Sequence, residues 1–286
     1  MNMNYKINSK LNRIFIVLTL VVFTFGCEDV IKVDLNSANP TLVLEAEISD
    51  NGSSSTLVIT KTTDFYTVNE FEKVSNASVI LKSQNGQTAE MTEIDSGSYQ
   101  TNLINGTPLT KYSIQVIVGG TIYEAESTMP KKTILDSLSI EKGIERPGGE
   151  DGKGRYILHV YFKDEPNVEN YCRFKISTNG IVNTGFVIYE DKYTDGNDID
   201  ARIQLDAEIL NINLNDVISV ELQSIDKAAF DFYKTANSVN ASSSSSGGRP
   251  SSSSVAPTNP ITNWSNNALG FFTAYASSYK TIVVSD

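Results

Sequence analysis

The chain has 286 residues, with 34 acidic against 23 basic side chains and a formal net charge of −11. That balance excludes a nucleic-acid-binding surface and a polybasic face for anionic membranes. One histidine and two cysteines leave too few ligands for a zinc centre of the usual kind.

Lys6, Lys10 and Arg13 precede the apolar run at residues 14–25, IFIVLTLVVFTF. Twelve residues suit the core of a secretory signal and fall short of the roughly 20 needed to span a bilayer. Gly26 and Cys27 follow at once. Residues 1–26 therefore read as a signal peptide, and Cys27 as the lipidated first residue of a bacterial lipoprotein. Thr24 stands where that pattern most often has leucine. Each buried methylene contributes about 0.8 kcal/mol, so the several chains of such a cysteine would anchor the protein permanently. Residues 27–39 become the lipidated cysteine and a polar tether. Removing residues 1–26 takes away three basic and no acidic residues, leaving 20 against 34, a net −14. Cys172 is then the sole remaining cysteine, and no intramolecular disulfide can form.

The rest of the chain predicts β structure. In residues 41–48 (TLVLEAEI), Leu42, Leu44, Ala46 and Ile48 alternate with Glu45 and Glu47, the period of a half-buried strand. Residues 55–61 form a second candidate. Residues 77–93 contain Asn85-Gly86, the strongest short hairpin signal, and a two-residue turn there would set Ile80 opposite Met91. Residues 111–127 repeat the device around Gly119-Gly120. Such closely spaced hairpins predict an antiparallel, immunoglobulin-like sandwich over residues 40–130.

A second β domain is expected over residues 131–286, with strands at 134–141, 156–163, 171–177, 185–190, 201–207 and 217–224. Residues 145–155, ERPGGEDGKGR, read as a flexible loop. One helix is expected at 226–239, capped by Asp226, with Ala229, Phe232, Tyr233, Ala236 and Val239 forming its apolar stripe. Residues 241–258 are serine-rich and predict a mobile loop. The aromatic residues after 260 predict a terminal strand or two returning to the second domain. Phe271, Thr273 and Tyr275 would share one face, and Phe272, Ala274 and Ala276 the other.

EDVIKVDL after Cys27, then PTLVLEAEISD, SNASVILKSQNGQ, DSGSYQT, KYSIQVIV, VYFKDEPNVENYCRFKI, SIDKAAFDFYKTAN and NPITNWSNNALGFFTAYAS, form an ordered set. It resembles the Gram-negative outer-membrane lipoproteins of domain-of-unknown-function family 4249 over nearly the whole mature chain. The resemblance implies a transthyretin-like first domain and a partnership with a TonB-dependent outer-membrane receptor. Glu28-Asp29 is similar to the acidic signal that sends some such lipoproteins to the cell surface. The serine-rich loop departs from the family pattern. No catalytic residues come with the resemblance, and the chain is read as a non-enzyme.

Candidate sites are few. His159 reads as a hydrogen-bonded strand residue, since no nucleophile-elbow sequence accompanies it. Cys172 reads as a buried hydrophobe. The run DKYTDGNDID places Asp195, Asp198 and Asp200 near a glycine turn, where oxygen ligands could hold calcium, although the spacing is not that of an EF-hand. Trp264 and Tyr275 are candidates for an aromatic platform that binds a sugar or peptide. The function expected is that of an accessory or ligand-binding partner of a TonB-dependent receptor in nutrient uptake. The alternatives are a surface adhesin or structural module, and a carboxylate-dependent hydrolase.

Overall fold

The computed structural model describes residues 40–63, 71–143, 155–183, 185–192, 194–206, 212–243 and 259–285. The expected signal and tether, most of the loop expected at 145–155 and most of the serine-rich segment lie outside the described residues. The fold is mainly β, and its strands form three sheets.

The first half supplies β1 (Leu42–Ser49), β2 (Ser55–Lys61), β3 (Ser78–Ser83), β4 (Thr88–Glu90), β5 (Thr92–Asp95), β6 (Ser98–Thr101), β7 (Lys111–Val118) and β8 (Thr121–Thr128). The second half supplies β9 (Leu135–Lys142), β10 (Arg155–Lys163), β11 (Tyr171–Thr178), β12 (Ile181–Val182), β13 (Val187–Glu190), β14 (Asp198–Asp206), β15 (Val217–Ile225), α1 (Lys227–Ser243) and β16 (Leu269–Val283). A nine-stranded sheet runs β12-β11-β15-β16-β1-β2-β6-β5, with β13 also on β11. Two smaller sheets run β4-β3-β7-β8 and β14-β10-β9.

Alternation along β16 decides the layers. Phe272, Ala274 and Ala276 enter a core shared with Leu44, Ile48, Leu57, Ile59, Val79, Ile114 and Val116, between the large sheet and the four-stranded one. Further along the same face, Ile282 packs against a second core containing Phe174, Val220 and Leu222 from the large sheet and Leu158, Val160 and Phe162 from the three-stranded one. Both small sheets thus cover one face of the large sheet. On the opposite face, Phe271 and Tyr275 meet α1 through Ala229, Phe230 and Tyr233. The two-faced pattern expected for β16 is present.

β16 pairs antiparallel with β15 and parallel with β1, from Val43↔Leu269 to Ser49↔Tyr275. The terminal strand therefore returns to the second half as expected, and it also closes the first. A fifteen-residue strand is long enough to do both.

Gly119-Gly120 forms the expected two-residue turn, with Val118 opposite Thr121 and both glycines at positive φ. The Asn85-Gly86 hairpin is corrected by one residue. Ile80 pairs with Glu90, not Met91. Ser83 N–H donates to Gln87 O, so the loop has three residues and Gly86 (φ 88°) supplies the left-handed position of a bulge. The helix begins as expected, where Asp226 Oδ1 accepts from Ala229 N–H at 2.8 Å. Its other oxygen accepts from Ser127 Oγ at 2.8 Å and from Thr128 N–H at 3.1 Å, tying α1 to β8.

Candidate functional site

The helix covers only part of the large sheet's second face. Its apolar stripe sits over β11 and β16, where rings pack in stacked and tilted pairs. Phe232 stacks on Phe271 (centroids 5.0 Å apart, 24° between planes), Tyr233 lies 5.0 Å from Phe186, and Tyr171 lies 5.0 Å from Phe230. Beyond the helix, the outward residues of β1 and β2 are Glu45, Glu47, Thr56 and Val58. A cleft of about 290 Å³ opens between the helix and these two strands, floored by Phe271 and Thr273.

Arg173 stands at the inner wall. Its place follows from strand alternation in β11. Cys172 and Phe174 point into the second core, so Tyr171 and Arg173 point toward α1. The guanidinium carbon lies 4.4 Å from the Tyr233 ring centre and 5.3 Å from that of Phe186, a cation–π arrangement. Nη1 donates to the Tyr233 hydroxyl (3.0 Å) and to Gln223 Oε1 (3.4 Å). Gln223 is buried, and its amide donates to Glu221 Oε2 at 3.1 Å. A chain of hydrogen bonds thus aims Arg173 without placing a carboxylate against it. Burial pushes the Tyr233 phenol above its ordinary range, outweighing the cation beside it.

Trp264 does not form a platform. It is buried in the first core, and its indole N–H donates to Leu44 O at 2.8 Å. Tyr275 is buried under α1, where burial also raises its phenol. The aromatic surface that remains open in the cleft belongs to Phe232 and Phe186, which are half-buried. Sequence reasoning had found the helix stripe but not its meeting with Arg173.

A second depression of about 460 Å³ is rimmed by Asn167, Glu169, Tyr171, Asp191 and Asp195. Here the expected carboxylate trio is corrected. Asp195 lies with Asp164 and Asp191, one oxygen from each falling within 4.8 Å of the others. Asp198 is exposed on β14, and Asp200 Oδ1 meets His159 Nδ1 at 2.8 Å while its Oδ2 accepts from Arg202 Nε at 3.2 Å. The observed trio works as a loop staple. Asp164 accepts from Asn170 Nδ2 (3.0 Å) and Gly196 N–H (2.8 Å), and Asp195 accepts from Asn167 N–H (2.7 Å). Burial raises the Asp191 carboxyl, with Asp164 and Asp195 adding repulsion against a hydrogen bond from Asn170. Its oxygens could receive a hard cation, but acids this close also occur without one.

His159 sits on β10, stacked on Tyr161 with centroids 5.9 Å apart. Its Nε2 faces Glu141 at 3.4 Å. Ser139, its partner in register on β9, instead bonds the Tyr161 hydroxyl at 3.2 Å. No serine is engaged by the imidazole among the described residues, the arrangement of a strand histidine held by carboxylates. Cys172 is fully buried, and burial pushes its thiol up to about 12, so it stays protonated and inert.

The fold and cleft define a class: a β protein of two sandwiches sharing one sheet, with an open aromatic groove beside the one helix of the described residues. The chain belongs to the family described as domain of unknown function DUF4249, whose model matches residues 28–281. No curated protein matches it.

Proposed function

We propose that this protein is a lipid-anchored, non-enzymatic outer-membrane protein that captures ligand for a TonB-dependent receptor. The observation that carries the reading is the junction at Cys27. A twelve-residue apolar run ends in Gly26-Cys27, and the family match begins one residue later, at 28. A cysteine placed there joins a lipid to a folded body through a short polar leader. The strongly acidic balance suits a body held by lipid rather than by surface charge.

The mechanism is tethering. Anchoring both partners in one membrane turns their encounter into a nearly intramolecular event and raises effective concentration without a large interface. The cleft under α1 supplies the place where ligand would be held, and Glu28-Asp29 would direct the protein to the cell surface.

The test is affinity purification of the full chain from detergent-solubilised membranes, with mass analysis of the polypeptide and its companions. The expected result is an acyl mass on Cys27 and recovery of a TonB-dependent receptor. A Cys27→Ser variant that still sediments with the envelope, together with an unacylated native chain, would overturn the anchor. Recovery without any receptor would overturn the partnership and favour a surface-structural role.

A further inference from the structure

We propose that the cleft under α1 binds a small zwitterion of the amino-acid or short-peptide class. Its carboxylate would rest on Arg173, its ammonium on Glu45 and Glu47, and an apolar side chain on Phe232 and Phe186. This rests on the reading of the chain as a ligand-binding protein and is independent of which receptor it serves.

Three observations meet in the cleft. The first is a cation without a counter-ion. Arg173 makes no ion pair among the described residues, and both of its hydrogen bonds leave from Nη1. Nη2 and Nε keep their donors for something else. A guanidinium never deprotonates in a protein, and its fork matches a carboxylate with two parallel hydrogen bonds.

The second is the opposite charge across the gap. Glu45 and Glu47 occupy alternate positions of β1 and face the same cleft. Neither is in an ion pair among the described residues. Arg173 is held instead by Gln223 and by the Tyr233 and Phe186 rings.

The third is size and surface. A volume of about 290 Å³ lies at the small end of ligand pockets, roughly 300–1,000 Å³. The half-buried Phe232 and Phe186 rings offer an apolar wall beside the charges.

These features discriminate among ligands. A simple anion would satisfy Arg173 and be repelled by the two glutamates. A cation would meet the reverse. A neutral sugar could use the rings but would desolvate three charges and pair none, at a cost in affinity. A molecule with both charges and a greasy group satisfies all three walls. Gln223 is a positioning residue here, since it acts through Arg173.

The experiment is isothermal titration of the full chain in detergent with L-alanyl-L-phenylalanine, its N-acetyl form, its C-terminal amide, and maltose. The free dipeptide should bind with a dissociation constant below about 1 mM, and each blocked form at least about tenfold more weakly. Arg173→Gln should erase the preference for the free carboxylate, and Glu47→Gln should reduce the preference for the free amine. Far-UV circular dichroism checks that both variants fold. Should Arg173→Gln not fold, Glu47→Gln and the blocked dipeptides on the native protein decide alone. Silence up to roughly 10 mM, equal affinity of free and blocked dipeptides, or maltose binding as tightly as the dipeptide would overturn the assignment. Dipeptide binding with no receptor recovered would sink the receptor partnership and leave the cleft standing; receptor recovery without dipeptide binding would do the reverse.

Discussion

Gly270 is the residue whose replacement should most damage this fold. It sits at φ 86° in β16, directly opposite Leu44 of β1. A Cβ at this position would lie 2.2 Å from Leu44 O and 2.8 Å from Leu44 C. The same carbonyl accepts the buried indole N–H of Trp264. Gly270→Ala therefore adds a left-handed backbone penalty of about 1–2 kcal/mol. Moving the β1 backbone aside costs about 1–3 kcal/mol more, as overpacking does. Loss of the indole bond leaves a buried donor and acceptor unpaired at about 1–3 kcal/mol. Together the loss should reach at least about 3 kcal/mol, a large share of the roughly 5–15 kcal/mol that holds a domain. Urea unfolding, followed by far-UV circular dichroism and by fluorescence of the single tryptophan, measures it. The native Trp264 emission should also shift to the red as the displaced β1 backbone admits water to the indole. A midpoint change worth less than about 1 kcal/mol, with unchanged emission, would refute the account of this junction.

Asp226→Ala should cost about 2–4 kcal/mol, because it removes both the helix cap and the charged acceptor for Ser127 and Thr128. Asp226→Asn should keep most of the cap and cost about half as much by urea titration. Cys172, in a Cys27→Ser background, should resist a thiol reagent until the protein unfolds, since burial holds it protonated; rapid native labelling would contradict its place in the core. Asp191 has a folded carboxyl raised by burial above its ordinary value near 3.8. The native state therefore holds its proton more tightly, and stability falls as pH rises from the unfolded value through the raised one. Asp191→Asn should raise the melting temperature more at pH 7 than at pH 3; an equal change at both would remove the buried charge from the explanation.

Periodicity along the chain carried most of the strand positions and the helix, because burial of one face imposes a two- or 3.6-residue repeat locally. The strands at 55–61 and 217–225 and the cap at Asp226 were readable for that reason. β5 and β6 were not, since four residues each are too few to show a period. The Asn85-Gly86 register slipped by one because a three-residue loop and a two-residue turn share the same Asn-Gly signature. Trp264 looked exposed from its neighbours in sequence and is buried by a carbonyl 220 residues away. The aspartate trio and the Arg173 cleft draw on separate loops and strands, and no local pattern encodes which of them meet.

The position of β16 has a consequence for synthesis. The first sandwich lacks the strand that flanks β1 until residues 269–275 arrive. A chain emerging from the ribosome N-terminus first would complete neither core until its last twenty or so residues are made. Trimming the C-terminus through β16 would therefore unlatch both sandwiches at once.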